Sequence, residues 1–110
     1  MELHSLPAHV LAKKIKDKEI SSVELTETFI ERIEKYDHKI NSVVVKTFDE
    51  ALEAAKQADK EISQNSIKGP LHGVPMTIKE SYNIKGQSTN WGIPDFKNNL
   101  KSSMSLPLPA

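Results

Sequence analysis

The chain has 110 residues, of which 37% are hydrophobic, enough for one small domain with a modest core. Fifteen basic residues offset fifteen acidic ones, the formal net charge is +0 and no block of like charge stands out, so nothing electrostatic argues for nucleic acid or an anionic membrane as a partner. The absence of cysteine excludes a disulfide framework, a thiol nucleophile and a Cys-ligated zinc site; no stretch reaches the ~20 apolar residues that span a bilayer, and a cytoplasmic location is the default reading.

In chain order, Ser5 is placed to cap a first short helix with Pro7 in its first turn. Val10, Leu11 and Ile15 form its narrow apolar stripe, which ends at Lys16-Asp17-Lys18. Ser21 and Glu24 have the spacing of a capping box. The helix they open repeats Leu25, Phe29, Ile33 and Tyr36 on one face and Glu24, Glu27, Glu31 and Lys35 on the other. Residues 37–41 read as a loop and the β-branched run 42–47 as a short strand. Thr47 and Glu50 repeat the capping-box pattern ahead of a third helix, whose buried side is marked by Phe48, Leu52, Ala55, Ala58 and Ile62. Residues 63–68 are a polar connection.

That connection leads to Gly69-Pro70-Leu71-His72-Gly73, a turn, and then to a strand in which Val74, Met76 and Ile78 alternate with Pro75, Thr77 and Lys79. Lys79 is the candidate for chemistry. Apolar neighbours desolvate a strand lysine and disfavour its ammonium form, the adjustment a lysine needs before it can act as a base near neutrality. The plain alternative is an edge-strand lysine with its head in water. Gly69 and Gly86 read as turn formers with positive φ, whereas Gly73 and Gly92 are candidates for close backbone approach to a substrate. His4, His9, His38 and His72 show no metal-ligand spacing, and no phosphate-loop motif is present, so neither a metal nor a cofactor is expected. Ser102, Ser103 and Ser105 lack the glycine turn that presents a nucleophilic hydroxyl, and Tyr82 and Trp91 read as packing residues. Residues 81–94 suggest irregular backbone, and 100–110 carry no period at all. The order helix, helix, strand, helix, strand is that of an α/β protein with helices covering a mixed or parallel sheet, although two strands cannot make that sheet alone.

The stretch from Gly69 through Pro75 to Ile78-Lys79-Glu80, followed by Gly86-Gln87-Ser88-Thr89-Asn90-Trp91-Gly92, resembles the amidase signature family, serine hydrolases of C–N bonds that use a Ser-Ser-Lys relay. The resemblance is strong over 69–92 and weaker from about residue 6 to 98. It places Lys79 at the family's catalytic lysine, with Ser88 standing where a threonine is frequent. It implies the N-terminal portion of the amidase signature fold over residues 1–98, incomplete in this chain, with 99–110 an unpatterned tail expected to be disordered. The glycine- and serine-rich loop that holds the family's nucleophile has no counterpart before Ala110. The chain is therefore expected to carry only the lysine and to be inactive alone. In the full-length protein the implied partner is a small-molecule amide, with no nucleic acid and no membrane, and with the oligomeric state open. Two alternatives stand beside this: the ammonia-releasing amidase subunit of a transamidation complex, and a non-catalytic truncated product or helical interaction module.

Overall fold

The computed structural model describes residues 2–43 and 46–78. The chain divides into two units, Met1–Ile40 with Thr47–Met76 and Asn41–Lys46 with Thr77–Ala110; the described helices belong to the first.

Pro7 decides where the first helix begins. A residue before proline is pushed out of the helical region, and Leu6 is extended (φ −87°, ψ 144°), so a 3-10 turn, Leu3–Ser5, closes ahead of it. Helix α1 then runs Ala8–Lys16 with Pro7 as its N-cap, and the Pro7 carbonyl accepts from the N–H groups of Val10 and Leu11, both at 3.1 Å. Ser5 is thus not the cap that its position suggested. At the far end Lys18 takes a left-handed conformation (φ 61°) so that its N–H donates to the Ile15 carbonyl and that of Glu19 to the Lys14 carbonyl. This is a Schellman ending made with lysine where glycine is usual.

Helix α2 (Ser22–Tyr36) starts as its capping signal indicates, with the Ser21 hydroxyl accepting from the Glu24 N–H at 2.9 Å. Its apolar stripe is fully buried at Leu25 and partly at Phe29 and Ile33, but Ser22 and Thr26 share the buried face. Tyr36 is instead exposed at the end of the helix, and its ring lies under Arg32 and Lys35, 5.1 and 5.2 Å from the centroid. A 3-10 turn, Asp37–Lys39, follows where a loop was expected.

Helix α3 spans Phe48–Ser63. Thr47 is its N-cap residue but makes no side-chain capping bond: its backbone (φ −121°, ψ 49°) is away from the extended geometry from which a cap hydroxyl reaches the first-turn N–H groups. Ala55 and Ile62 are buried, with Phe48, Leu52 and Ala58 partly so. Asn65 (φ 57°) ends the helix in a second Schellman turn, the Ser66 N–H reaching the Glu61 carbonyl at 2.8 Å.

The three helices meet at Leu11, Ile15, Leu25 and Ile62, and Leu3, Leu6, Ile20, Phe29 and Val74 pack around this cluster. The helical part of the α/β expectation is met. The sheet is not seen among the described residues: 74–78 form no strand, nor do Ser42, Val43, Lys46 and Thr47, the rest of 42–47 lying outside the described residues. Alternation alone does not make a strand, because its backbone groups need a neighbour to pair with. Among the described residues, no helix is long and apolar enough to cross a membrane.

Candidate functional site

Lys79, Glu80 and everything after them, including Tyr82, Ser88, Trp91 and the serines at 102, 103 and 105, lie outside the described residues. What the structure does show is how the turn leading toward Lys79 is held, and it is held from three helices at once.

Gly73 is the central piece. It is the one described glycine with positive φ (82°), and a Cβ there would sit 3.2 Å from Ile15 Cγ2 and 3.3 Å from Ser22 Cβ. Its close approach is therefore to α1 and α2, an intramolecular contact where close approach to a substrate was a candidate. The Ser22 hydroxyl donates to the Gly73 carbonyl at 2.6 Å. Gly69, by contrast, has neither a positive φ nor any atom within 4 Å of a would-be Cβ. Pro70 accounts for the backbone conformation, since the residue before proline is driven toward extended backbone.

His72 ties the same turn to α3. Its Nδ1 accepts from the Lys68 N–H at 3.1 Å, so Nε2 carries the proton and donates to the Ala58 carbonyl at 3.0 Å. Within the turn, the His72 N–H donates to the Gly69 carbonyl and the Val74 N–H to that of Leu71. Val74 then packs on the core, whereas Met76 and Ile78 are exposed, at 65% and 45%. His72 is the only titratable side chain in 69–78, and both of its ring nitrogens are engaged. The turn as described supplies position rather than reactive groups.

Asp59 on α3 completes the arrangement. One carboxylate oxygen accepts from the Ser22 N–H at 2.6 Å and the other from the Val23 N–H at 3.1 Å, so two first-turn donors of α2 are satisfied by a neighbouring helix. Sequence reasoning did not single out Ser22 or Asp59, or give His72 this part. For Asp59 a signal existed: it falls between Ala55 and Ile62 on the apolar stripe of α3, where a carboxylate needs a partner. Replacing Asp59 by Ala is expected to cost about 2 kcal/mol of unfolding free energy, and Ser21→Ala about 1, from the usual range for lost helix caps. Denaturant titration checks this, and equal stability of Asp59→Ala and the parent would contradict the capping role.

Beside the turn, an open cleft of about 540 Å³ has His9, Lys13 and Lys16 of α1 on one side and Ile67, Pro70 and His72 on the other. Lys13 on its rim donates to Asp17 at 2.6 Å; this hydrogen bond holds the Asp17 carboxyl below its ordinary value and the Lys13 ammonium above its own. Among the described residues no group of three or more His, Asp or Glu could hold a metal ion.

Comparison with known proteins agrees with what the turn sequence suggested. The amidase family model matches residues 24–105. Curated relatives include the glutamyl-tRNA(Gln) amidotransferase subunits A of Moraxella catarrhalis, 45% identical over 91 residues, and of Geotalea daltonii, 42% identical over 89. These alignments cover 83% and 81% of this chain but 18% of each relative. Among solved structures, a bacterial aryl acylamidase of the amidase signature enzymes matches with a TM-score of 0.84 and 32% identity, over 89% of this chain and 20% of that one. The chain thus spans about a fifth of the length of its relatives. With most of its length matched by the family model and the helices and turn set out as above, this chain belongs to the amidase signature family.

Proposed function

We propose that the chain contributes Lys79 to a Ser-Ser-Lys relay in an amidase signature protein that hydrolyses carboxamide C–N bonds. The observation that carries this reading is the family match across 24–105, which includes Ile78-Lys79-Glu80 a few residues after the anchored turn in sequence. In the proposed reaction a serine hydroxyl attacks the amide carbonyl while its proton passes through a second serine to neutral Lys79. The C–N bond then breaks as the lysine returns that proton to the departing amine, leaving an acyl-enzyme for water to hydrolyse. Both serines are assigned to sequence outside these residues.

Within the family, the identities of 45% and 42% to amidotransferase A subunits, against 32% to the aryl acylamidase, favour an amidotransferase-type role. The substrate would be a primary carboxamide such as that of glutamine, with the released ammonia consumed by an acceptor on a partner subunit. The full-length protein that carries this segment is expected to release ammonia from glutamine and to be slow on anilides. Anilide hydrolysis without ammonia release would reverse that preference, and turnover of neither would overturn the amidase reading.

By itself the 110-residue chain is expected to turn over no amide and to take up no serine-directed covalent probe. Stoichiometric labelling located at one of its serines by peptide mass analysis would place the nucleophile inside the chain and refute its assignment elsewhere.

A further inference from the structure

We propose that the cleft between α1 and residues 67–72 is a binding site for a small organic anion with an apolar body, its anionic head held between Lys13 and Lys16. The relay reading above is not needed for it, and every residue it uses belongs to the first of the two units. His9, Ala12, Lys13 and Lys16 recur along α1 at the spacing of a single helix face, and that face lines the cleft. Ala12 and, from α3, Ile62 supply apolar lining that the core already holds in place, at 8% and 7% exposed, and Ile67 and Pro70 extend it on the other side. None of the described residues that line the cleft is acidic.

The wall facing α1 is preset. The Ser66 N–H reaches the Glu61 carbonyl, the Lys68 N–H reaches His72 Nδ1 and His72 Nε2 donates to the Ala58 carbonyl, so the backbone on both sides of Ile67 is tied back to α3. A volume of about 540 Å³ falls within the range of small-molecule sites, about 300–1,000 Å³. The charges are distributed unevenly around it. Lys14 is paired with Glu19 and Lys68 with Glu61, both at 3.3 Å, whereas Lys16 makes no ion pair among the described residues and Lys13 has Asp17 at 2.6 Å. Lysines in the last turn of a helix suit its dipole, but that effect asks only for positive charge near the end, not for charge on the face beside an apolar lining. Residues three apart on a helix have Cβ atoms about 5–6 Å from each other, which lets two ammonium groups reach one carboxylate or sulfonate. A neutral ligand would leave that pair unused, and a polyanion would need a wider basic field than a chain of net charge +0 provides.

The test is calorimetric titration of the full-length protein that carries this segment with naphthalene-2-sulfonate, and with naphthalene-2-methanol as its neutral counterpart. The sulfonate is expected to bind with a Kd of about 1 mM or tighter, and the alcohol at least about five-fold more weakly. Raising the salt from about 0.05 to 0.5 M is expected to weaken the sulfonate and not the alcohol. Lys16→Met, at an exposed position, is expected to weaken the sulfonate by about 3- to 10-fold, and Asp17→Asn, which frees Lys13, to tighten it by about 2- to 5-fold. Equal affinity for the two probes overturns the anion site, and so does the absence of sulfonate binding at about 10 mM. Sulfonate binding that neither Lys16→Met nor Asp17→Asn alters lies elsewhere on the protein and overturns the site equally.

Discussion

Lys79→Arg in the full-length protein is expected to be as inactive as Lys79→Ala, even though it keeps the positive charge. A relay base must be neutral to receive the serine's proton, and a guanidinium holds its proton at any working pH. A loss of general-base function is worth about 10²–10⁴ in rate, and groups that act as a unit lose most of it when any one is removed. Lys79→Ala removes the acceptor altogether, so the pair separates basicity from charge: a lysine that merely attracted an anionic group would be replaced tolerably by arginine and not by alanine. Lys85→Ala, a lysine six residues on that the family pattern does not assign to the relay, is expected to stay within a few-fold of the parent. Steady-state turnover of folded variants decides the matter, and substantial activity in Lys79→Arg would end the relay assignment.

Gly73→Ala is expected to destabilise the protein by about 2–4 kcal/mol. Two costs add. An L-residue at positive φ costs about 1–2 kcal/mol, and Gly73 sits at φ 82°. Overpacking a filled site costs about 1–3 kcal/mol, and the new methyl would stand 3.2 Å from Ile15 Cγ2 and 3.3 Å from Ser22 Cβ. Against these, alanine narrows the unfolded ensemble by about 0.4–1 kcal/mol. The same substitution at Gly69 supplies the comparison: with an ordinary φ and nothing within 4 Å of a Cβ, Gly69→Ala is expected to be neutral or slightly stabilising. Denaturant unfolding of the two variants measures the contrast, and a Gly73→Ala protein as stable as the parent would show that the turn is not seated on α1 and α2 as described.

The three helices and much of their buried side are legible in the amino-acid sequence, because periodicity and caps are short-range. Leu25 and Ile62 lie on stripes that recur every three or four residues, and the Ser21 cap depends on an N–H three residues away. The same rules misread Ser5 and Thr47. Both are good capping residue types, but Pro7 delays the first helix, and Thr47, although it is the N-cap residue of the third, makes no side-chain capping bond. The charged run Lys16-Asp17-Lys18 marked where α1 ends, but not that Lys18 would end it in a conformation that glycine usually supplies. Alternation over 74–78 gave neither a strand nor a packed face among the described residues, where Val74 packs on the core but Met76 and Ile78 are exposed, since pairing and packing depend on a neighbour that local pattern does not name.

The motif at 69–92 pointed to the family and to Lys79 through residue identities alone, and the family is confirmed by the match over 24–105. The anchoring of the turn came only with the folded chain. Ser22 meets Gly73 across 51 residues, Asp59 meets Ser22 across 37, and His72 meets Ala58 across 14. A hydroxyl, a carboxylate and an imidazole each state what kind of partner they need, and that much is written in the residue; which carbonyl or N–H fills the need is fixed when α1, α2 and α3 pack, because only then are groups distant in sequence brought within about 3 Å of one another.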